Sequence, residues 1–190
     1  MTDLSLETRT GLPDTLAYLR SSFPQQDWRK HANFGELSAF WLQVHEHLRG
    51  QGAALNQATA SYREGSLESA RFRQFFAPAL NQFLQHLNGH HQIEDRFYFP
   101  KFRTLDQRMV AGFDLLERDH ELIHEALLAT AESANLFLKT SRDAADAPTQ
   151  AADAYASAAD RLVALLTRHL ADEEDLIVPA ILQHGEQRVA

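Results

Sequence analysis

Histidine occurs in four separate stretches of this chain, and three of them carry a carboxylate or a second histidine at helical spacing. They are His45 alone, His90 with Glu94, His120 with His124, and His169 with Glu173 and Glu174. Residues four apart lie on one face of a helix. Four helices that each aim one or two such groups inward would enclose a pocket of imidazole nitrogens and carboxylate oxygens, which suits a metal pair better than an apolar core. The carboxylates strengthen the case, because a buried Glu is rare unless it is paired or bound to metal. Glu94 and Glu173 fall in the middle of apolar stripes, and Glu174 touches the same face through Leu170 and Ile177. A metal-free bundle would carry apolar residues at His45, Glu94, His124 and Glu173.

The chain has ten histidines, and the face that each occupies separates them. His45 lies on the stripe of Trp41 and Leu48, whereas His47 has Gln43 and Gln51 four residues to either side and reads as solvated. His90 has Phe83 and Leu87 behind it and Glu94 and Phe97 ahead. His91 sits about a hundred degrees round the helix from it, with Asp95 four residues on, and is a flank candidate. His86 shares the face of His90 and reads as pocket lining. His120 and His124 both face their stripe, and two histidines at this spacing can grip one ion. His169 has Leu162, Leu165 and Leu166 behind it. His31 and His184 lie near helix ends and read as ordinary surface groups.

These groups must be positioned by long helices, and the pattern is helical nearly throughout: Ala, Leu, Gln, Glu and Arg dominate, and strand-type alternation is absent. A short first helix is expected from Pro13, a favoured first-turn residue, to Pro24. Four amphipathic stretches follow, over about residues 33–60, 67–99, 106–139 and 151–184. Pro78 is expected to kink or restart the second, Pro179 to bend the end of the fourth, and the polar run SRDAADAPTQ to form a loop. Short connections between four long helices predict an all-α, up-down-up-down four-helix bundle over residues 33–190, with residues 1–32 as a helical N-terminal extension. The second and fourth stretches echo each other as HHQIEDRFYFP and HLADEEDLIVP, which suggests two equivalent ligand arms.

Composition narrows the function. The 190 residues are 44% hydrophobic, enough for a core, and the net charge of −8 with a pI of about 5.6 argues against a nucleic-acid footprint, which would be basic. The absence of cysteine excludes disulfides, thiolate metal sites and cysteine nucleophiles. The polar start MTDLSLETRT does not read as a signal peptide, and no apolar run approaches the ~18 residues that cross a bilayer. A cytoplasmic protein with neither membrane nor nucleic-acid partner, and no attached output domain, is expected.

The ordered set His45, His90-x-x-x-Glu94, His120-x-x-x-His124 and His169-x-x-x-Glu173-Glu174 resembles the hemerythrin family. It is closest to bacterial hemerythrin-like domains with doubled HHxxED and HLxxEE signatures, which stand here as His90-His91-Gln92-Ile93-Glu94-Asp95 and His169-Leu170-Ala171-Asp172-Glu173-Glu174. Pro100 and Pro179 also fit, and the resemblance covers about residues 33–184. It implies two iron ions, oxo- or hydroxo-bridged, inside a four-helix bundle. One iron would take His120, His124 and His169, and the other His45 and His90. Glu94 and an acid of the last helix would bridge them. Counted this way, one octahedral iron is a ligand short, an open position for a small molecule such as O₂. Zinc or manganese would accept the same ligands. The oxygen-carrier pattern has an aspartate five residues after the last histidine, where this chain has Glu174. Glu173 is the favoured bridge, because its face matches that of His169. His86, His91 and Asp95 crowd the second helix. These departures weaken simple oxygen carriage and leave room for O₂ or NO sensing, peroxide handling or iron-linked redox work.

Three other readings compete. His120-Glu121-Leu122-Ile123-His124 matches the HExxH pattern of zinc metalloproteases, with Glu121 as general base, but leaves His45, His90, Glu94 and His169 without a role. A ferritin-like di-iron oxidase needs Glu-x-x-His on two helices, whereas Glu117-x-x-His120 and Glu121-x-x-His124 share one. The third is a non-enzymatic iron-sensing module read by a protein partner through the bundle surface or the segment before Asn33.

Overall fold

The computed structural model describes residues 3–143 and 149–189. Its regular elements are all helical. They are α1 (Glu36–Arg63), α2 (Ser69–Ile93), a π-helical turn (Glu94–Tyr98), α3 (Phe99–Leu105), α4 (Val110–Asp143) and α5 (Thr149–His184), with 3₁₀ turns at Gln25–Lys30, Gln107–Met109 and Glu186–Arg188. No strand occurs among the described residues. The four long helices sit where the apolar stripes predict them. α2 runs on through Pro78 and α5 through Pro179. The loop expected at 141–150 is narrower, since residues 141–143 and 149–150 are helical and 144–148 lie outside the described residues. Among the described residues, no helix is long and apolar enough to cross a membrane.

The chain gathers into two compact units, one of residues 3–46, 90–121 and 167–189, the other of His47–Gly89 and Leu122–Leu166. α1 carries the chain from the first into the second, α2 returns it, and α4 and α5 repeat the passage. The first unit packs Trp41, Phe99, Phe102, Phe113, Leu116, Ile177 and Ile181 into one core that also takes in Leu12 and Ala17 from the N-terminal segment. The second is built on aromatic rings: Tyr62, Phe72 and Phe76 stack in series at 4.4 and 4.6 Å, with Phe137 and Tyr155 against them.

The expected first helix over 13–24 does not form. The segment makes separate turns instead, such as Ala17 N–H to Pro13 O and Phe23 N–H to Leu19 O, followed by the 3₁₀ turn after Pro24. A helix this short is marginal on its own, and side chains fix this stretch to other elements: the Tyr18 hydroxyl donates to Asp106 at 2.7 Å, and Arg20 donates to Asp175 at 3.1 Å. At the other end of the chain, Gly185 closes α5 with φ +87°, a conformation that favours glycine. The turn delivers Glu186 to the start of α1, where its carboxylate accepts the N–H groups of Gly35, Leu37 and Ser38 at 2.8–3.1 Å. A Cβ at Gly35 would come within 2.5 Å of that carboxylate.

Two registers position the site. Buried residues of α4 fall at Phe113, Leu116, His120, Ile123, Leu127, Thr130, Ala134 and Phe137, alternating steps of three and four. This 3.5-residue repeat is a straight seam. In α2 the register changes at the π turn, where Phe99 N–H bonds to Glu94 O, five residues back. The turn holds one residue more than an α-turn. Phe97, expected in the stripe, is therefore 61% exposed, while Phe99 and Phe102 are fully buried.

Candidate metal centre

Four elements of the first unit converge on a buried polar cluster. α1 brings His45, the end of α2 and its π turn bring His90, His91, Glu94 and Asp95, α4 brings Asp119 and His120, and α5 brings His169, Glu173 and Glu174. Two sets of these present donor atoms within 4.8 Å of one another: His45, His90, Glu94 and Glu173 form one, His91, His120 and His169 the other. In the first set His90 Nε2 lies 3.0 Å from Glu94 Oε1, and His45 Nε2 lies 3.6 Å from Glu173 Oε2. In the second His120 Nε2 and His169 Nε2 face each other at 3.0 Å. Glu94 serves both, since its other oxygen, Oε2, is 3.6 Å from His120 Nε2. Glu173 Oε2 is likewise 3.4 Å from His169 Nε2, while its Oε1 accepts the Trp41 indole N–H at 3.1 Å.

A layer of carboxylates stands behind the imidazoles. Nδ1 of His45 is 2.9 Å from Glu174 Oε1, Nδ1 of His120 is 2.7 Å from Asp95 Oδ1, and Nδ1 of His169 is 3.5 Å from Asp119 Oδ2. At His45 and His120 an acceptor on Nδ1 fixes the tautomer and turns Nε2 inward, the usual support of a metal-binding histidine, whereas Asp119 faces His169 Nδ1 as an ion-pair partner without a formed hydrogen bond. The repeated sequence now has a physical meaning. In each arm the first acid, Glu94 or Glu173, reaches both sets. The next, Asp95 or Glu174, orients the lone histidine of a different helix, His120 or His45.

The donor atoms suit a cation. His45 Nε2, His90 Nε2, both oxygens of Glu94 and Glu173 Oε2 are buried without a hydrogen-bond partner among the described residues. Each such atom costs about 1–3 kcal/mol if left so. Burial pushes the His45 imidazole down, but Glu173, Glu174 and Glu94 overcome it and raise its pKa to about 9. Burial likewise opposes a charge on His169, and Asp119 and Glu173 raise it to about 9. Burial would raise Glu94, yet His90 and His45 hold it well below its ordinary value. The field thus favours positive charge in the space between these groups.

His91 stands apart from the other donors. Its ring stacks on that of His120 with centroids 3.9 Å apart and planes inclined by only 7°. A metal ion lies in the plane of the imidazole that binds it, so two rings stacked in parallel planes cannot share one ion. His45 and His90 at 85°, and His120 and His169 at 68°, are inclined as joint ligands require. His120, with Asp95 behind it, is the better donor. The counterpart of His91 in the other arm is Leu170, a fully buried core residue. As it stands, the His91 ring lines the cluster, and its Nε2 has no hydrogen-bond partner among the described residues. Burial and then the charge of neighbouring imidazoles hold it well below its usual pKa.

The expected ligand set needs two corrections. His124 is exposed and lies in neither group: on the α4 seam His120 is followed by Ile123, and His124 falls just outside. With Glu121 also exposed, the His120-Glu121-x-x-His124 zinc pattern does not assemble. Glu174 supports His45 from behind rather than facing the donor sets. His86, half-buried, pairs with Gln51 at 3.0 Å outside both groups. Asp119 and Asp172 are buried acids beside the cluster that the stripe pattern does not single out. The only signal for them is an acid directly before His120 and another three after His169.

The family model of the hemerythrin HHE cation binding domain matches residues 36–181. The chain belongs to this family. The match spans every donor described above and makes the domain a cation-binding one. No curated protein and no solved structure matches the chain.

Proposed function

We propose that this hemerythrin HHE domain holds two iron ions, one between His45 and His90, the other between His120 and His169, with Glu94 and Glu173 shared, and that it binds a small molecule such as O₂, NO or peroxide there. The observation that carries this reading is Glu94, a buried carboxylate whose two unpartnered oxygens face two different histidine pairs. Irons so held would supply reversible one-electron chemistry and room for a small ligand. The chain's own residues do the rest. Trp41 holds Glu173, Asp95 and Glu174 aim the lone histidines, and Phe99, stacked on His120 at 5.3 Å, helps exclude water. His91, neutral and with Nε2 free of hydrogen bonds, is placed to hydrogen-bond a small molecule beside His120.

The test is metal analysis of protein produced with iron, with optical spectra recorded with and without air. Two irons per chain and a spectrum that changes with air support the reading. One zinc per chain and no colour would overturn it.

A further inference from the structure

We propose that Arg9 is a positioning residue of the metal centre, through which the N-terminal segment and the ion beside His169 stabilise one another. The proposal rests on the reading of His169 as a ligand. Arg9 lies outside the family match, yet its side chain is only 2% exposed. Its guanidinium joins two acids from two helices. Nε donates to Asp172 Oδ2 at 2.7 Å, Nη1 to Asp119 Oδ1 at 3.0 Å, and Nη2 to Asp119 Oδ2. Asp119 Oδ2 is the same oxygen that faces His169 Nδ1. A planar guanidinium that grips a carboxylate through both oxygens fixes its rotation as well as its position. Arg9 therefore decides where the carboxylate that faces His169 Nδ1 across 3.5 Å stands, and with it the negative charge that supports this ring beside an ion.

The segment around Arg9 is tied to the same place. Arg9 Nη1 also donates to Leu4 O at 2.9 Å, Leu12 N–H donates to Asp172 Oδ1 at 3.1 Å, and Arg168 bridges Asp172 Oδ1 and Thr10 O at 2.7 Å each. Undocking residues 4–12 would remove Arg9 from between two buried acids and release Asp119. An ion that needs His169 held in place must then favour the docked segment, and by reciprocity the docked segment must favour the ion.

The experiment uses the full chain, with Fe(II) under argon titrated against a competing chelator, and amide hydrogen exchange of residues 4–12 with and without Fe(II). Metal is expected to slow exchange there by roughly tenfold, within the usual range of such couplings. R9Q should weaken Fe(II) binding by roughly 10–100-fold, as loss of a supporting partner does elsewhere, and abolish the effect of metal on exchange. R9K should restore part of both. R9Q combined with D119N should bind no more weakly than the weaker single variant, since Arg9 acts through Asp119. Should R9Q not fold, the wild-type exchange measurement and R9K still decide. Unchanged Fe(II) affinity in R9Q or R9K, or exchange indifferent to metal, overturns the proposal while His169→Ala still loses iron. If His169→Ala also keeps its iron, the ligand reading itself is overturned.

Discussion

His91 and Leu170 hold corresponding places in the two arms, one a histidine stacked on His120, the other an apolar core residue. If stacking keeps His91 off the ion, His91→Leu leaves two metals per chain, whereas His120→Leu and His169→Ala each lose at least one. Loss of a metal in His91→Leu would make it a ligand. The two adjacent acids of α5 divide in the same way. Glu173→Ala, which removes a shared carboxylate, should abolish metal binding measured by elemental analysis. Glu174→Gln, which only changes the acceptor behind His45 Nδ1, should keep the stoichiometry and weaken affinity by roughly 10–100-fold. Much of this was legible in the sequence. His45, His90, Glu94, His120, His169 and Glu173 all converge, because a charged or polar residue on an apolar stripe is costly to bury unless a partner or an ion meets it. His124 misled because four-residue spacing alone does not tell a seam position from its flank. The buried series Leu116, His120, Ile123, Leu127 makes that distinction.

At the level of elements, a single inserted residue has the largest effect. A continuous α-helix after Glu94 would keep Phe97 in the stripe, and no feature of the sequence EDRFY marks the π turn. It was invisible in the pattern because the sequence offers phenylalanine at 97, 99 and 102, so either register finds apolar residues. Deleting Phe97, the surplus residue, should restore an α-helical turn with Phe99 still bonded to Glu94 and Phe99 and Phe102 still in the core, so that the melting temperature, checked by thermal denaturation, falls far less than in Phe99→Ala. The joint between the chain's end and α1 is separable from the metal. Glu186→Ala should cost about 1–2 kcal/mol in urea unfolding, the worth of a helix N-cap. Burial raises the Glu186 carboxyl, but the N–H groups of Ser38, Leu37 and Gly35 win and hold it below its ordinary 4.5. A depressed acid stabilises the fold above its ordinary pKa, and that contribution is lost as pH falls through the lower, folded value. The gap between variant and wild type should therefore be full at pH 7 and close in acid.

Across the whole molecule, each of the two compact units coheres by its own means. The second is stacked aromatic and aliphatic side chains, with Phe72, Phe76 and Tyr155 fully buried. The first buries four donor helices' worth of charged and polar groups, including His45, Glu94 and Glu173, at 0%, 1% and 0% exposure. Without a cation such groups repel or stand unpaired, whereas an ion bound only by the folded state stabilises it by about 4 kcal/mol at a thousandfold excess over Kd. Metal removal should therefore act unevenly along each helix. Chelation should speed hydrogen exchange at residues 90–95, 117–121 and 167–174 and lower the melting temperature, while amides near Phe76 and Tyr155 keep more of their protection. The same helices would then show a loosened end and a firm end. Uniform loss of protection along α4 and α5 would mean that the metal cluster holds the entire chain. Unchanged exchange at both ends would mean that the carboxylates and imidazoles satisfy one another without a cation, through the protons that His45 and His169 attract.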